Sequence, residues 1–170
     1  MSNLVSIFLF AALQSAPATT ICPTHDMHPD ARQAGVEKRG DAAMGFSHAL
    51  TTHHFRLYAD GGAIEATADD AKDLESVQAI AGHLKHVIGM FSSGDFSVPM
   101  FIHGENPPGA AVMNERRDRI TYALETIPGG ARIRIKTQDS EALRAIHAFL
   151  RFQIADHHTG DAHTGDASDH

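Results

Sequence analysis

Histidine is the residue type in this sequence with the clearest potential for chemistry, because it occurs 13 times in 170 residues. A neutral imidazole nitrogen binds zinc and copper well, and the ring changes its charge near neutral pH. His83 and His86 are three positions apart in a segment with helical periodicity. Because side chains at i and i+3 lie on one face of a helix, these two imidazoles could bind the same metal ion.

Three further histidines are candidates for this site. His53 and His54 are consecutive at the start of a predicted strand, so they point to opposite faces and at most one of them easily joins a given site. His103 precedes a glycine in a mostly apolar, proline-containing segment that could return it toward the helix of His83. The predicted ligand set is therefore His83, His86, His103 and one or both of His53 and His54.

Sulfur ligands are also available, as the thioethers of Met44, Met90 and Met100. Imidazoles suit copper and zinc alike, whereas thioethers are soft ligands, so the sequence predicts bound copper in preference to zinc. Asp95 and Glu105 are the nearest carboxylates that could orient an imidazole. The sequence specifies no reaction, since it contains no G-x-S-x-G motif, no phosphate-binding glycine loop and no dinucleotide fingerprint.

Other interpretations of these histidines stay open. A haem could bind non-covalently, with His83 or His86 as its axial ligand and Met90 in its pocket, since the sequence contains no C-x-x-C-H motif. His53 could instead be a satisfied core histidine and His54 a solvated one. The chain would then be a metal-free interaction domain, with a partner docked on the basic outer face of its sheet (Arg132, Arg134, Lys136).

Two copies of a strand–strand–helix unit make the predicted scaffold. Each copy begins with two alternating apolar and polar strands around a Gly-Gly turn: 54–58 with 63–68, and 120–125 with 131–136. The helical segments 79–95 and 145–161 align without a gap, and both end in Gly-Asp. A sheet with one polar face implies helices on the other face alone. The sequence therefore predicts an α+β, ββα–ββα fold: a four-stranded, mainly antiparallel sheet with two helices on one face.

The chain divides into four predicted segments. Residues 1–18 hold a short apolar run followed by Ala-Pro-Ala, which is typical of a secretory signal peptide. Residues 19–43 have no apolar period and are predicted to be a flexible lead-in. Residues 44–161 form the ββα–ββα domain, and residues 162–170 are predicted to be a disordered His- and Asp-rich tail.

Export and charge limit the expected partners. The apolar run is shorter than the roughly 20 residues that span a bilayer, so we expect a periplasmic or secreted protein with no stable membrane insertion after signal cleavage. The formal net charge of −7 gives no basis for binding nucleic acid. The expected partner is a metal ion or small ligand, and the open sheet edges make a homo-oligomer a further expectation.

Several short strings resemble a family of uncharacterised exported bacterial proteins: Met44-Gly-Phe, Thr51-Thr-His-His-Phe55, His83-Leu-Lys-His86, Ile102-His-Gly104, Pro107-Pro-Gly109 and Phe149-Leu-Arg-Phe-Gln-Ile-Ala-Asp-His157. The resemblance covers about residues 35–161. Members of the family are sometimes labelled aspartate carbamoyltransferases, yet this sequence lacks the Ser-Thr-Arg-Thr loop by which that enzyme class binds carbamoyl phosphate. The resemblance implies one coherent domain and assigns no functional residues.

Overall fold

The computed structural model describes residues 29–163. Its helices are α1 (Pro29–Met44), α2 (Leu74–Ser93), α3 (Ser97–His103), α4 (Ala110–Glu115) and α5 (Ser140–His157). Its strands are β1 (Thr51–Tyr58), β2 (Gly61–Ala68), β3 (Ile120–Ile127) and β4 (Gly130–Thr137). Short 3-10 turns precede β1 and β3. Two strands and a long helix therefore occur twice, as the sequence predicts.

The four strands form one antiparallel sheet in the order β1-β2-β4-β3. The two hairpins meet where β2 pairs with β4, with Ile64 opposite Ile133. The alternation of the strands turns Phe55, Ile64 and Ile133 to one face, and all three are buried there. Helices α2 and α5 cover this face, so the predicted ββα–ββα architecture is confirmed.

The long helices begin and end at residues whose side chains or backbone freedom suit those positions. Asp73 accepts a hydrogen bond from the backbone of Ser76 at the start of α2, and Asp139 accepts from two backbone N–H groups at the start of α5. Each helix then buries an apolar stripe against the sheet, where a fully buried Leu, Ile or Phe contributes roughly 1.5–3 kcal/mol. The stripes consist of Ile80, Leu84, Val87 and Phe91 on α2, and Ala142, Ile146, Phe149, Leu150 and Ile154 on α5.

Helix α1 differs from the flexible lead-in that the sequence predicts for residues 19–43. The helix has no apolar period, and polar side chains make several of its contacts with the rest of the protein. Arg32 donates to Asp156 on α5 through Nη2 at 2.8 Å, and Arg39 donates to the carbonyl of Ile102 at 2.7 Å. Val36 adds a side chain that is 1% exposed. Tertiary contacts of this kind hold a helix whose own sequence pattern does not indicate one.

The predicted signal peptide (1–18), the first residues of the lead-in with Cys22, and tail residues 164–170 lie outside the described part of the chain. Within residues 29–163, no helix combines the length and the apolar character that crossing a bilayer requires.

The basic residues of the sheet's outer face are balanced by neighbouring carboxylates. Arg132 donates to Glu125 at 2.6 Å, and Arg134 donates to Asp60 at 2.5 Å. Arg134 is 3% exposed and lies 4.4 Å above the centre of the Tyr58 ring. This face therefore presents less free positive charge than its three basic residues indicate by sequence.

Gly109 allows the loop before α4 to pass directly against α5. Its φ is +86°, and a Cβ atom there would lie 2.1 Å from the carbonyl oxygen of Ala145. Gly45 has a similar φ of +76° but open space around its Cα. We predict that Gly45→Ala lowers the free energy of unfolding by about 1 kcal/mol, the cost of a left-handed backbone. Gly109→Ala should cost at least about 2 kcal/mol more, because the backbone must also move.

Urea unfolding at neutral pH, followed by circular dichroism, measures both changes. Equal losses for the two variants would show that the close approach between Gly109 and α5 does not matter for stability.

Candidate functional site

Four histidines line one pocket between the sheet and the helices. This inner pocket has a volume of about 80 Å³, and its polar lining consists of His53, His83, His103, His157 and Gln153, with the thioether of Met44 beside them. Apolar side chains such as Phe55, Leu84 and Phe149 form the rest of the wall. The structure thus brings together three of the five predicted ligands and adds His157, which sequence reasoning missed.

A second, more polar cavity adjoins the inner pocket. This outer cleft has a volume of about 250 Å³ and is lined by Glu37, His48, Thr52 and His54 among others. Met44, His53 and His157 line both cavities. These three side chains therefore stand at the boundary between the outer cleft and the inner pocket.

Three of the pocket residues are the last residues of helices. Met44 ends α1, His103 ends α3 and His157 ends α5. The residue after each has a positive φ: 76° at Gly45, 69° at Gly104 and 54° at His158. After each of these helices the backbone therefore turns sharply away, and the side chain of the last helical residue stays in the pocket. The carbonyl ends of helices carry partial negative charge, which favours a cation nearby.

His53 and His157 are close neighbours without hydrogen bonds. Their ring centres are 6.2 Å apart, with the planes inclined by 16°. Neither ring has a hydrogen-bond partner among residues 29–163. Burial lowers the pKa of His53 to about 4 and that of His157 to about 3. At neutral pH both imidazoles are therefore uncharged, and each has a nitrogen lone pair available to a ligand.

His103 is held at both ring nitrogens. Its side chain is fully buried, Nδ1 lies 2.5 Å from Oδ2 of Asp156, and Nε2 lies 2.9 Å from Oε1 of Gln153. Asp156 also accepts two hydrogen bonds from Arg32. Burial opposes ionisation of Asp156, but the hydrogen bonds from His103 and Arg32 outweigh it and hold the pKa of this carboxyl below its usual value. An ionised Asp156 fixes the orientation of the His103 ring.

The amide of Gln153 has one end without a protein partner. Gln153 is 4% exposed, and its Nε2 makes no hydrogen bond within the described residues. If Nδ1–H of His103 donates to Asp156 and the ring is neutral, Nε2 is an acceptor. The Gln153 amide would then have to be turned over, so that its NH2 group donates to Nε2. In the orientation found, Oε1 of Gln153 faces Nε2 of His103, and the NH2 group has no partner among the described residues. In either arrangement one polar end of the Gln153 amide has no hydrogen-bond partner among the described residues.

His83 and His86, the predicted helical ligand pair, do not both line this site. His83 lines the inner pocket, and its ring packs edge-on against Phe46 with centres 5.7 Å apart. His86 is exposed and lines neither cavity. The difference follows from the buried stripe of α2, in which Ile80 and Val87 are positioned three before and four after His83.

His54 lies on the opposite face of β1 from His53, as the alternation predicts. Its Nδ1 is 2.9 Å from Oδ1 of Asp161, which also accepts from Arg56 and from the backbone N–H of Phe55. Asp161 follows α5 and is 8% exposed. It fastens the end of α5 to the edge strand, and this keeps His157 beside His53.

The predicted orienting carboxylates have other partners. Asp95 accepts from the backbone of Ser97, and Glu105 pairs with Arg32 on the surface. Asp156 has the orienting role instead. Of the predicted sulfur ligands, Met100 is 44% exposed, and neither Met90 nor Met100 lines the inner pocket. His157 and Gln153 could have been found from the sequence, because they continue the buried stripe of α5 through Phe149.

Within residues 29–163, no three side chains of His, Cys, Asp or Glu converge at the spacing of a metal centre. The pocket instead offers two unpartnered imidazoles and one thioether at its boundary. Fold and site together define an α+β protein with a ββα repeat and an imidazole-lined pocket at its helix ends. The chain matches no protein-family model, no curated protein and no solved structure.

Asp161 generates a pH-dependent prediction. Burial opposes its ionisation, but hydrogen bonds from Phe55, Thr159 and His54 lower the pKa of its carboxyl below the usual value. Its stabilising effect is therefore complete above the unfolded-state pKa of about 3.9 and is lost as the pH falls through the folded-state pKa. Asp161→Asn should lower the free energy of unfolding by about 1–3 kcal/mol at pH 7.

Urea unfolding between pH 7 and pH 3 measures the effect, with the exposed Asp118→Asn as a surface control. The gap between wild type and Asp161→Asn should shrink below about pH 4. A gap that stays constant over this range would mean that the ionised carboxylate does not hold β1 to α5.

Proposed function

We propose that the protein binds a copper ion, as Cu(I), through His53 and His157, with Met44 as the sulfur ligand. The observation that carries the proposal is the position of these three side chains at the boundary of two cavities, with both imidazoles unpartnered by other described residues. Two imidazoles and a thioether are soft to intermediate ligands, the set that favours Cu(I).

The two rings lie close to the distance at which they could share one ion. Metal–nitrogen bonds are about 2.0 Å, so two imidazoles that share one ion can be no more than about 6 Å apart between ring centres. The rings of His53 and His157 are 6.2 Å apart and stacked, with planes inclined by 16°. Because an imidazole binds a metal ion in the plane of its ring, both rings must rotate before one ion can bind to both.

The electrostatics of the site also favour a cation. Both imidazoles are neutral at pH 7, so a metal ion has no proton to displace from either. The carboxyl ends of α1 and α5 place partial negative charge at Met44 and His157. Glu37 lines the outer cleft, through which an ion would approach.

This set of ligands fits copper better than zinc. Structural zinc is bound by four His, Cys, Asp or Glu side chains and catalytic zinc by three of them. The described residues offer no such group of three. Haem is also less favoured, because a pocket of about 80 Å³ is several-fold smaller than the roughly 300–1,000 Å³ of pockets for larger ligands. The balanced charges of the sheet's outer face give a docked protein partner little to recognise.

The test is a Cu(I) titration against a chromogenic chelator, in a Cys22→Ser background so that the lone thiol does not contribute. We expect one tightly bound ion. The variant His53→Ala/His157→Ala should lose at least about 100-fold in affinity, since even residues that only orient a ligand are worth 10–100-fold. Met44→Leu should weaken binding and remove the copper–sulfur signal from the X-ray absorption spectrum.

The matched control is His86→Ala/His163→Ala, which removes two exposed histidines outside both cavities. It should bind copper as wild type does, and circular dichroism should show all variants folded. Unchanged affinity in the His53/His157 variant, or an equal loss in the control, would contradict the proposal.

A further inference from the structure

The two edges of the sheet are not equivalent. At the edge strand β1, the backbone N–H of Phe55 donates to the buried carboxylate of Asp161 at 2.9 Å, so the segment after α5 covers part of that edge. At the other edge, β3 pairs with β4 on one side. Within residues 29–163, the other side of β3 has no hydrogen-bond partner after Ile120.

The pairing pattern shows which backbone groups face the free side of β3. Thr137 donates its backbone N–H to Asp60, on the β2 side of β4, so Thr137 and its β3 partner Ile120 form a pair without backbone hydrogen bonds. Such pairs alternate with hydrogen-bonded pairs along antiparallel strands. Every second residue of β3 therefore points its N–H and C=O groups away from β4, where a further strand could bind them. After Ile120 these residues are Tyr122, Leu124 and Thr126.

Strand β3 also lacks the features that protect a free edge, which are charged side chains, proline and bulges. Its sequence contains no proline, and its one charged residue, Glu125, already accepts a hydrogen bond from Arg132 at 2.6 Å. The register with β4 is uninterrupted along the whole strand. Leu124 is 40% exposed although it lies on the same face of the sheet as the buried Ile120. The edge therefore combines free backbone groups with an exposed apolar side chain.

We propose that β3 pairs antiparallel with β3 of a second copy of this chain, so that the two sheets join into one. The strand is self-complementary when Ala123 lies on the twofold axis. Tyr122 then lies opposite Leu124 of the second copy, and these two residues exchange both backbone hydrogen bonds. The aromatic ring covers the exposed leucine. Glu125 lies opposite Thr121, so no like charges meet.

Sedimentation equilibrium of the full chain tests the association, in a Cys22→Ser background so that the lone thiol cannot link two copies. We expect a reversible dimer in the micromolar range, because a single strand pair buries little area. Leu124→Lys places a charge at the edge and should weaken the dimer at least about tenfold. The matched control is Leu74→Lys, at a leucine on α2 that is 66% exposed, and it should leave the dimer unchanged. Circular dichroism checks that both variants fold.

Engineered cysteines test the register in the same background. Ala123→Cys faces its own copy in a pair without backbone hydrogen bonds, where Cα atoms are about 4.5 Å apart and a disulfide can form. It should give a cross-linked dimer on mild oxidation. Thr126→Cys is exposed on the same strand, but it would lie about 20 Å from its copy and should not cross-link.

Hydrogen exchange identifies what covers the edge. In a β3–β3 dimer, the amides of Tyr122, Leu124 and Thr126 become more protected as the protein concentration rises. Protection that does not change with concentration would show that another segment of the same chain pairs with β3, and it would overturn the second copy as occupant. A monomer at every concentration, or a dimer that Leu124→Lys leaves intact, would also overturn the proposal. Cross-linking of Thr126→Cys without that of Ala123→Cys would overturn the register.

Discussion

The carboxylate of Asp156 is the group on which the pocket depends. It is carried by α5, and it accepts hydrogen bonds from Arg32 on α1 and from His103 on α3. These two contacts join helices that the ββα repeat does not itself connect. Because the carboxylate stays ionised, it can accept from both groups at once, and it joins the first turn of α1 and the last residue of α3 to the last turn of α5.

The repeat supplies the scaffold, and the additions to it supply the site. Helices α2 and α5 are equivalent in the two copies, and the sequence alignment matches His83 and His86 of the first with Phe149 and Phe152 of the second. Phe149 fills the core, whereas His83 reaches the pocket. Met44 and His103, however, lie on α1 and α3, outside both copies. The histidines of the repeat alone therefore do not make the site.

The sequence predicts the parts of the molecule that bury apolar side chains at a regular period. Both hairpins, both long helices and the inward direction of His53 follow from that period, and the structure confirms them. Helix α1 has no such period, because polar contacts such as that of Arg39 with the carbonyl of Ile102 hold it in place. The sequence therefore predicts neither this helix nor the position of Met44 at the pocket.

His157 was missed for a different physical reason. It lies within the predicted helical segment 145–161, but it also begins a stretch of low complexity, so nothing in the pattern singled it out as a site residue. At the end of this segment, Asp161 accepts a hydrogen bond from the backbone N–H of Phe55 and fastens the segment to the edge strand. The same device sets His157 beside His53 with no hydrogen-bond partner of its own among the described residues.

The half-satisfied amide of Gln153 is costly, because its Nε2 is buried without a hydrogen-bond partner among the described residues. Natural sequences tend to tolerate such costs at functional sites, because a ligand repays them when it binds. Apolar residues of similar size at positions 53 and 157 would pack more favourably against Phe46 and Phe55, which already contact these rings. Two imidazoles that lack partners among the described residues therefore make physical sense as binding groups for a ligand.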